Sequence, residues 1–159
     1  MRERYTLWDK SWKSNVLWLL WYSVIAVLML TLFQKVGLCE IDTGIIAQIE
    51  SSRNPGAIGD HGKALGMYQI HKAVVEDYNK YRNKTRFKPF SWSEMANPEK
   101  GEIVARWYLS QRIPALLRYY GLPVSQDNVL TAWNAGIEKV RKGYVAQAYI
   151  AKYRRISNA

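Results

Sequence analysis

Eighteen consecutive residues without a charge, from Val16 to Phe33, partition this chain before any other feature is weighed. A helix needs about 17–25 predominantly apolar residues to cross a hydrocarbon core, so the run is long enough with little to spare. A soluble core helix keeps a polar face, and this stretch has none. Trp8, Trp12, Trp18, Trp21 and Tyr22 crowd its N-terminal side, as aromatics do at a membrane interface. The expected organisation is therefore a tail over residues 1–15, a transmembrane anchor over 16–35 and one globular domain over 40–159.

Flanking charges orient the anchor. Arg2, Arg4, Lys10 and Lys13 precede it, whereas only Lys35 follows closely, before Glu40 and Asp42. The positive-inside rule then puts the N-terminus in the cytoplasm and residues 40–159 on the far side. The competing reading is a cleaved signal peptide. Against it, the run is longer than a usual signal core and no Ala-x-Ala site follows. Val36-Gly37-Leu38-Cys39 is only a weak lipoprotein box, because leucine precedes the cysteine.

Residues 40–159 carry 18 Lys and Arg against 11 Asp and Glu, a net +7. Such a surface suits a polyanion, and an exported domain meets cell wall or acidic headgroups rather than nucleic acid. Cys39 is the only cysteine and His61 and His71 the only histidines. An internal disulfide is thereby excluded, and neither a zinc site of the usual ligand set nor any other cofactor is expected.

The domain reads as mainly helical. Thr43 is placed to cap a helix bearing Ile45, Ile46 and Ile49, which should stop near Arg53 because Asn54 precedes a proline. Four glycines and a proline make residues 54–66 a loop. Ile70, Val74, Val75 and Tyr78 form a second apolar stripe, and residues 79–92 read as an extended or hairpin connection. Asn97-Pro98-Glu99 starts a helix that Pro114 should kink or divide, with Gly121 as its stop. Ser125 caps the next helix. A last one is expected from Tyr144 to Arg155, with Val145, Ala148, Tyr149 and Ile150 inward.

Three separated blocks carry the chemistry. Glu50-Ser51 is followed by Asn54-Pro55 and Gly62, then by Gly66-Met67-Tyr68-Gln69-Ile70, and much later by Ala132-Trp133-Asn134-Ala135-Gly136. By itself Glu50 is an ordinary carboxylate at a helix end. The blocks together, in order and spacing across roughly residues 43–156, resemble the lytic transglycosylases, lysozyme-like enzymes that cut bacterial peptidoglycan. Trp133 stands where that family usually has tyrosine, which removes a hydroxyl that in relatives lies near the acid. Gly59-Asp60 stands where the family often has a serine.

The resemblance implies a lysozyme-like α+β fold with a cleft between a helical lobe and the loop region. Glu50 would be the single acid/base. It would protonate the bridging oxygen of the MurNAc–GlcNAc bond, then take the proton of the muramic acid 6-hydroxyl as that oxygen attacks C1, leaving a 1,6-anhydro end. The substrate's own N-acetyl group would assist, unlike the two-carboxylate scheme of most glycosidases. Ser51, Asp60, Met67, Tyr68, Gln69, Trp133 and Asn134 would contact the glycan, although Met67 and Tyr68 also suit a core and Asn134 a cap. No metal is implied.

Two alternatives stay open. Asp60 could activate water or stabilise an oxocarbenium ion, giving a muramidase, although Gly59-Asp60-His61-Gly62 is also a plain turn sequence. A non-catalytic wall-binding module is the other. The implied setting is a bacterial inner membrane or a phage membrane, single-pass, with the N-terminus cytoplasmic and the domain periplasmic or otherwise extracytoplasmic. Peptidoglycan strands, the membrane and a phage or envelope-spanning assembly are the expected partners.

Overall fold

The computed structural model describes Trp21, Tyr22 and residues 40–82 and 87–159. The chain divides into two units, Met1–Leu38 and Cys39–Ala159. Of the first, Trp21 and Tyr22 are helical and exposed; the rest of the expected tail and anchor, residues 1–35, lies outside the described residues. No helix among the described residues is long and apolar enough to cross a membrane.

The second unit holds seven α-helices among its described residues: α1 Thr43–Ser51, α2 Lys72–Arg82, α3 Pro98–Trp107, α4 Ile113–Tyr119, α5 Gln126–Ala135, α6 Ile137–Arg141 and α7 Gln147–Ser157. Between α1 and α2 run three two-residue strands, β1 Ile58–Gly59, β2 Ala64–Leu65 and β3 Ile70–His71. They form an antiparallel sheet in the order β1-β2-β3, with Ile58 opposite Leu65 and Leu65 opposite Ile70. The mainly α, lysozyme-like α+β expectation fits this architecture.

Local chemistry explains most helix ends. Asp42, rather than Thr43, caps α1: its Oδ1 accepts the N–H groups of Gly44 and Ile45 at 2.7 and 3.3 Å. Aspartate outranks threonine as a cap, and Thr43 instead turns inward as a buried first residue. Asn97 and Ser125 cap α3 and α5 as the sequence predicts, accepting the N–H groups of Lys100 and Asn128. Gly121, at φ 68°, closes α4 with a left-handed turn.

Pro114 acts differently from the expected kink or break. Residues Tyr108–Arg112 form a π-turn that joins α3 to α4, and the N–H of Ile113 reaches back five residues to the carbonyl of Tyr108. A helical proline offers no N–H and crowds the carbonyl four residues before it, here that of Ser110. The wider turn ahead of Pro114 accommodates this without ending the helix.

The last helix also departs from expectation, starting at Gln147 rather than Tyr144. The buried Thr131 hydroxyl accepts the N–H of Ala146 at 3.2 Å and holds the preceding segment as a separate loop. Val145 and Ala148 are consequently exposed, while Ile150 and Tyr153 face inward. The expected extended or hairpin connection over 79–92 is not seen among its described residues: α2 continues to Arg82, residues 87–91 carry no regular secondary structure, and a 3₁₀ turn follows at Trp92–Ala96.

One core unites the helices, built on Ile46, Val104, Leu117, Val129, Leu130 and Ile150, all 1% exposed or less. Helix α1 packs on α7, and α7 on α5. Tyr153 of α7 reinforces the first pairing, its hydroxyl accepting the N–H of Asp42 at 2.9 Å. That packing brings the last turn of α1 against α5 and α7.

Candidate active site

Glu50 occupies the last turn of α1. A negative charge there opposes the helix dipole, at a cost of roughly 0.3–1 kcal/mol, so the residue is not placed for helix stability. Its carboxylate is half-buried and receives two donors at one oxygen. The indole Nε1–H of Trp133, on α5, donates to Oε1 at 2.8 Å, and the hydroxyl of Tyr149, on α7, donates to the same atom at 2.7 Å. Burial raises Tyr149 well above an ordinary tyrosine, and the adjacent Glu50 charge and hydrogen bond push the same way. The phenol therefore stays protonated and keeps its donor role. Lys152 of α7 adds a bond from Nζ to the Ile49 carbonyl, one of those left open at the end of α1.

Beside this carboxylate lies a cavity of about 260 Å³. Five of the eight sequence-predicted site residues line it: Glu50, Asp60, Gln69, Trp133 and Asn134. Ile70, His71, Val74 and Tyr108 contribute further wall. Asp60, half exposed on the 3₁₀ turn Asp60–Gly62, has Oδ2 3.6 Å from His71 Nε2 and Oδ1 3.8 Å from His61 Nδ1.

The other three predicted residues do not line the cavity. Ser51 donates to the Met67 carbonyl at 2.9 Å and accepts the Asn54 N–H at 3.0 Å, stitching the end of α1 to the loop and to β3's approach. Met67 packs partly buried against the core. Tyr68 is itself core, 4% exposed, with its ring close enough to Gly101 of α3 that an added Cβ there would come within 3.3 Å of it. Residues 67–69 thus alternate in role, and only Gln69 reaches the cleft.

Gln69 is also a brace. Its Nε2 donates to the carbonyls of Ala57 and Gly66 at 3.2 and 2.8 Å. The carboxamide lies so close to Gly59 that a Cβ there would fall 2.0 Å from Oε1. Gly66, at φ 80°, is equally constrained, since its Cβ would meet the Met95 carbonyl oxygen at 2.0 Å. Backbone strain collects around the cleft: Ser52, Arg53, Asp60, His61 and Gln69 all have positive φ between 45° and 63°. For residues with a side chain this costs on the order of 1–2 kcal/mol each, tolerated where surrounding contacts over-determine the conformation.

Ala64, Ile70, His71, Val74 and Tyr108 of the cavity wall, and Tyr149 beside Glu50, escaped the sequence reading as site residues. Tyr149 registers there only as one member of an apolar stripe, and nothing local connects it to Glu50, 99 residues away. Tyr108 opens the π-turn and packs edge-on to Trp133, ring centroids 6.0 Å apart, so the turn that accommodates Pro114 also supplies cavity wall. Pro114 was its one sequence signal.

A mainly helical domain with a small antiparallel sheet, holding Glu50 beside a cleft, fits the lysozyme-like α+β class. Within that class the chain belongs to the transglycosylase SLT domain family, whose model matches residues 43–156, well over half the chain. Its function is, at family level, of the peptidoglycan lytic transglycosylase type. No curated protein and no solved structure matches it.

Proposed function

We propose that this domain cleaves the β-1,4 bond between MurNAc and GlcNAc with Glu50 as sole acid/base, leaving 1,6-anhydro-MurNAc ends. The observation that carries the reading is the convergence of Trp133 and Tyr149 on Oε1 of Glu50. With Oε1 occupied by two donors, the proton of the acid form resides on Oε2, so the transferable proton has one defined position. Orientation of this kind is what general acid catalysis requires. As the C1–O4 bond breaks, Oε2–H passes its proton to the departing oxygen of GlcNAc, while the N-acetyl carbonyl supports C1. The carboxylate then accepts the proton of the 6-hydroxyl as O6 bonds to C1. Glu50 ends reprotonated, and no water is consumed.

Hydrolysis is the second reading, favoured by one fact: Asp60 lines the same cavity. Against it, Asp60 lies beside two histidines at 3.6 and 3.8 Å, on an exposed turn. A wall-binding module without catalysis has no specific feature in its favour. The anchor over residues 16–35, with the domain outside the cytoplasmic membrane and serving a phage or envelope assembly, belongs to the same proposal; tethering would confine lysis to wall within reach of the membrane.

The test is digestion of purified peptidoglycan by the full chain, with Glu50→Gln alongside and products read by mass spectrometry. Ends one water lighter than reducing MurNAc, absent with the variant, are expected. Reducing ends would replace this reading with the muramidase and make Asp60 the next target. Wall that stays intact but retains both proteins would replace it with the binding module.

A further inference from the structure

A second pocket, of about 360 Å³, opens beside the cleft and shares His71 with it. Gly62, Lys63, Lys72, Ala73 and Trp92 complete its lining. The Trp92 indole is fixed, its Nε1–H donating to the Ile70 carbonyl at 2.8 Å, so a rigid aromatic wall faces a cationic rim. Lys63 is exposed and forms no ion pair among the described residues. Lys72 has one partner, Glu76, at 4.0 Å, with both side chains more than half exposed. A pair that open and that long holds its lysine weakly, so Lys72 can turn to a ligand. Asp60, 3.6 Å from His71, is the opposing charge on the cleft side. The entrance is open at Gly62, where an added Cβ would meet nothing within 4 Å.

We infer that this pocket receives the carboxylate-bearing stem peptide of the wall glycan. The inference rests on the proposed substrate. In that polymer the peptide leaves the muramic acid from its lactyl ether, beside the bond to be cut. A strand lying along the Glu50 cleft must therefore send its peptide out sideways. The pocket joined to the cleft through His71 offers such an exit, with two lysines for the peptide's carboxylates and Trp92 and Ala73 for its alkyl side chains. Exposed ammonium groups recognise carboxylates through charge-assisted hydrogen bonds. Glycan alone, neutral along its backbone once the lactyl groups are amide-linked, would have no use for them.

The test measures binding of N-acetylmuramoyl-L-alanyl-γ-D-glutamyl-L-lysine to the full chain by calorimetry or ligand-observed NMR. The comparison ligand is the same molecule with its carboxylates amidated. The acid form should bind at least fivefold more tightly than the amide. Lys63→Gln/Lys72→Gln should erase that difference, whereas Lys80→Gln, on the exposed surface of α2, should retain it. Equal binding of acid and amide, or an undiminished preference in the double variant, would overturn the inference. Glu50→Gln separates this result from the catalytic proposal. Acid-selective binding by a protein that leaves peptidoglycan uncut would keep the pocket and remove the enzyme. Anhydro products without acid-selective binding would do the reverse.

Discussion

The indole nitrogen of Trp133 stands 2.8 Å from Oε1 of Glu50, a residue 83 positions earlier in the chain. The family's usual tyrosine would reach the acid with a hydroxyl; here an N–H does so. The substitution therefore preserves a donor and removes an acceptor, because indole can only donate. Trp133→Phe should keep the ring packing against Tyr108 and lose the hydrogen bond. A drop in kcat of about tenfold, near 1.4 kcal/mol, with KM changed far less, is the expected outcome of steady-state turnover on soluble glycan strands. Trp133→Tyr should recover most of the loss, and failure to do so would mean the indole matters for shape rather than donation.

Tyr149 supplies the second donor. Tyr149→Phe leaves Glu50 with the Trp133 bond alone and should again lower kcat more than it raises KM. Trp133→Phe/Tyr149→Phe should lose more than the product of the two single effects, because both donors fix one oxygen. Strict multiplicativity in the same assay would show that they act independently.

Gly66 tests the loop. Any L residue there needs φ near 80° and a Cβ 2.0 Å from the Met95 carbonyl oxygen. Gly66→Ala should cost about 3 kcal/mol and lower Tm by about 10 °C in calorimetry. Gly62→Ala is the control: its φ is also positive at 85°, but nothing lies within 4 Å of the added carbon, so its loss should be clearly smaller.

Glu94 gives the domain an acid-side pH dependence. A hydrogen bond from Lys100, joined by bonds from the Ser91 backbone N–H and hydroxyl, holds its carboxyl down at about 2. With the folded value depressed, this stabilisation is fully present above the unfolded value of about 4.5 and is lost as pH falls toward 2. Glu94→Gln should therefore melt below wild type at pH 6. The two Tm curves should converge by pH 2; a gap constant across that range would mean the residue acts through packing alone.

Much of this was legible along the chain, for a physical reason. Caps at Asn97 and Ser125 and the stop at Gly121 involve residues within one turn of each other, and such contacts are written in adjacent letters. The three motif blocks likewise marked Glu50, Gln69, Trp133 and Asn134 as belonging together, four residues that do line one cavity. Local rules also misled: the sequence reading put the cap at Thr43 alone, and at Pro114 it offered only a kink or a break. The structure took Asp42, and at Pro114 a third solution, the π-turn.

The sequence by itself determined the helical character of residues 40–159 and the candidate acid. It could not determine that acid's surroundings. Tyr149 meets Glu50 because α7 packs on α1, and Trp133 does because α5 packs on α7. Tyr68 enters the core against Gly101 of α3, while Gln69, its neighbour, enters the cleft. Such contacts span 83 and 99 residues and are set by how buried faces fit, a property of the assembled helices that no short stretch of letters contains.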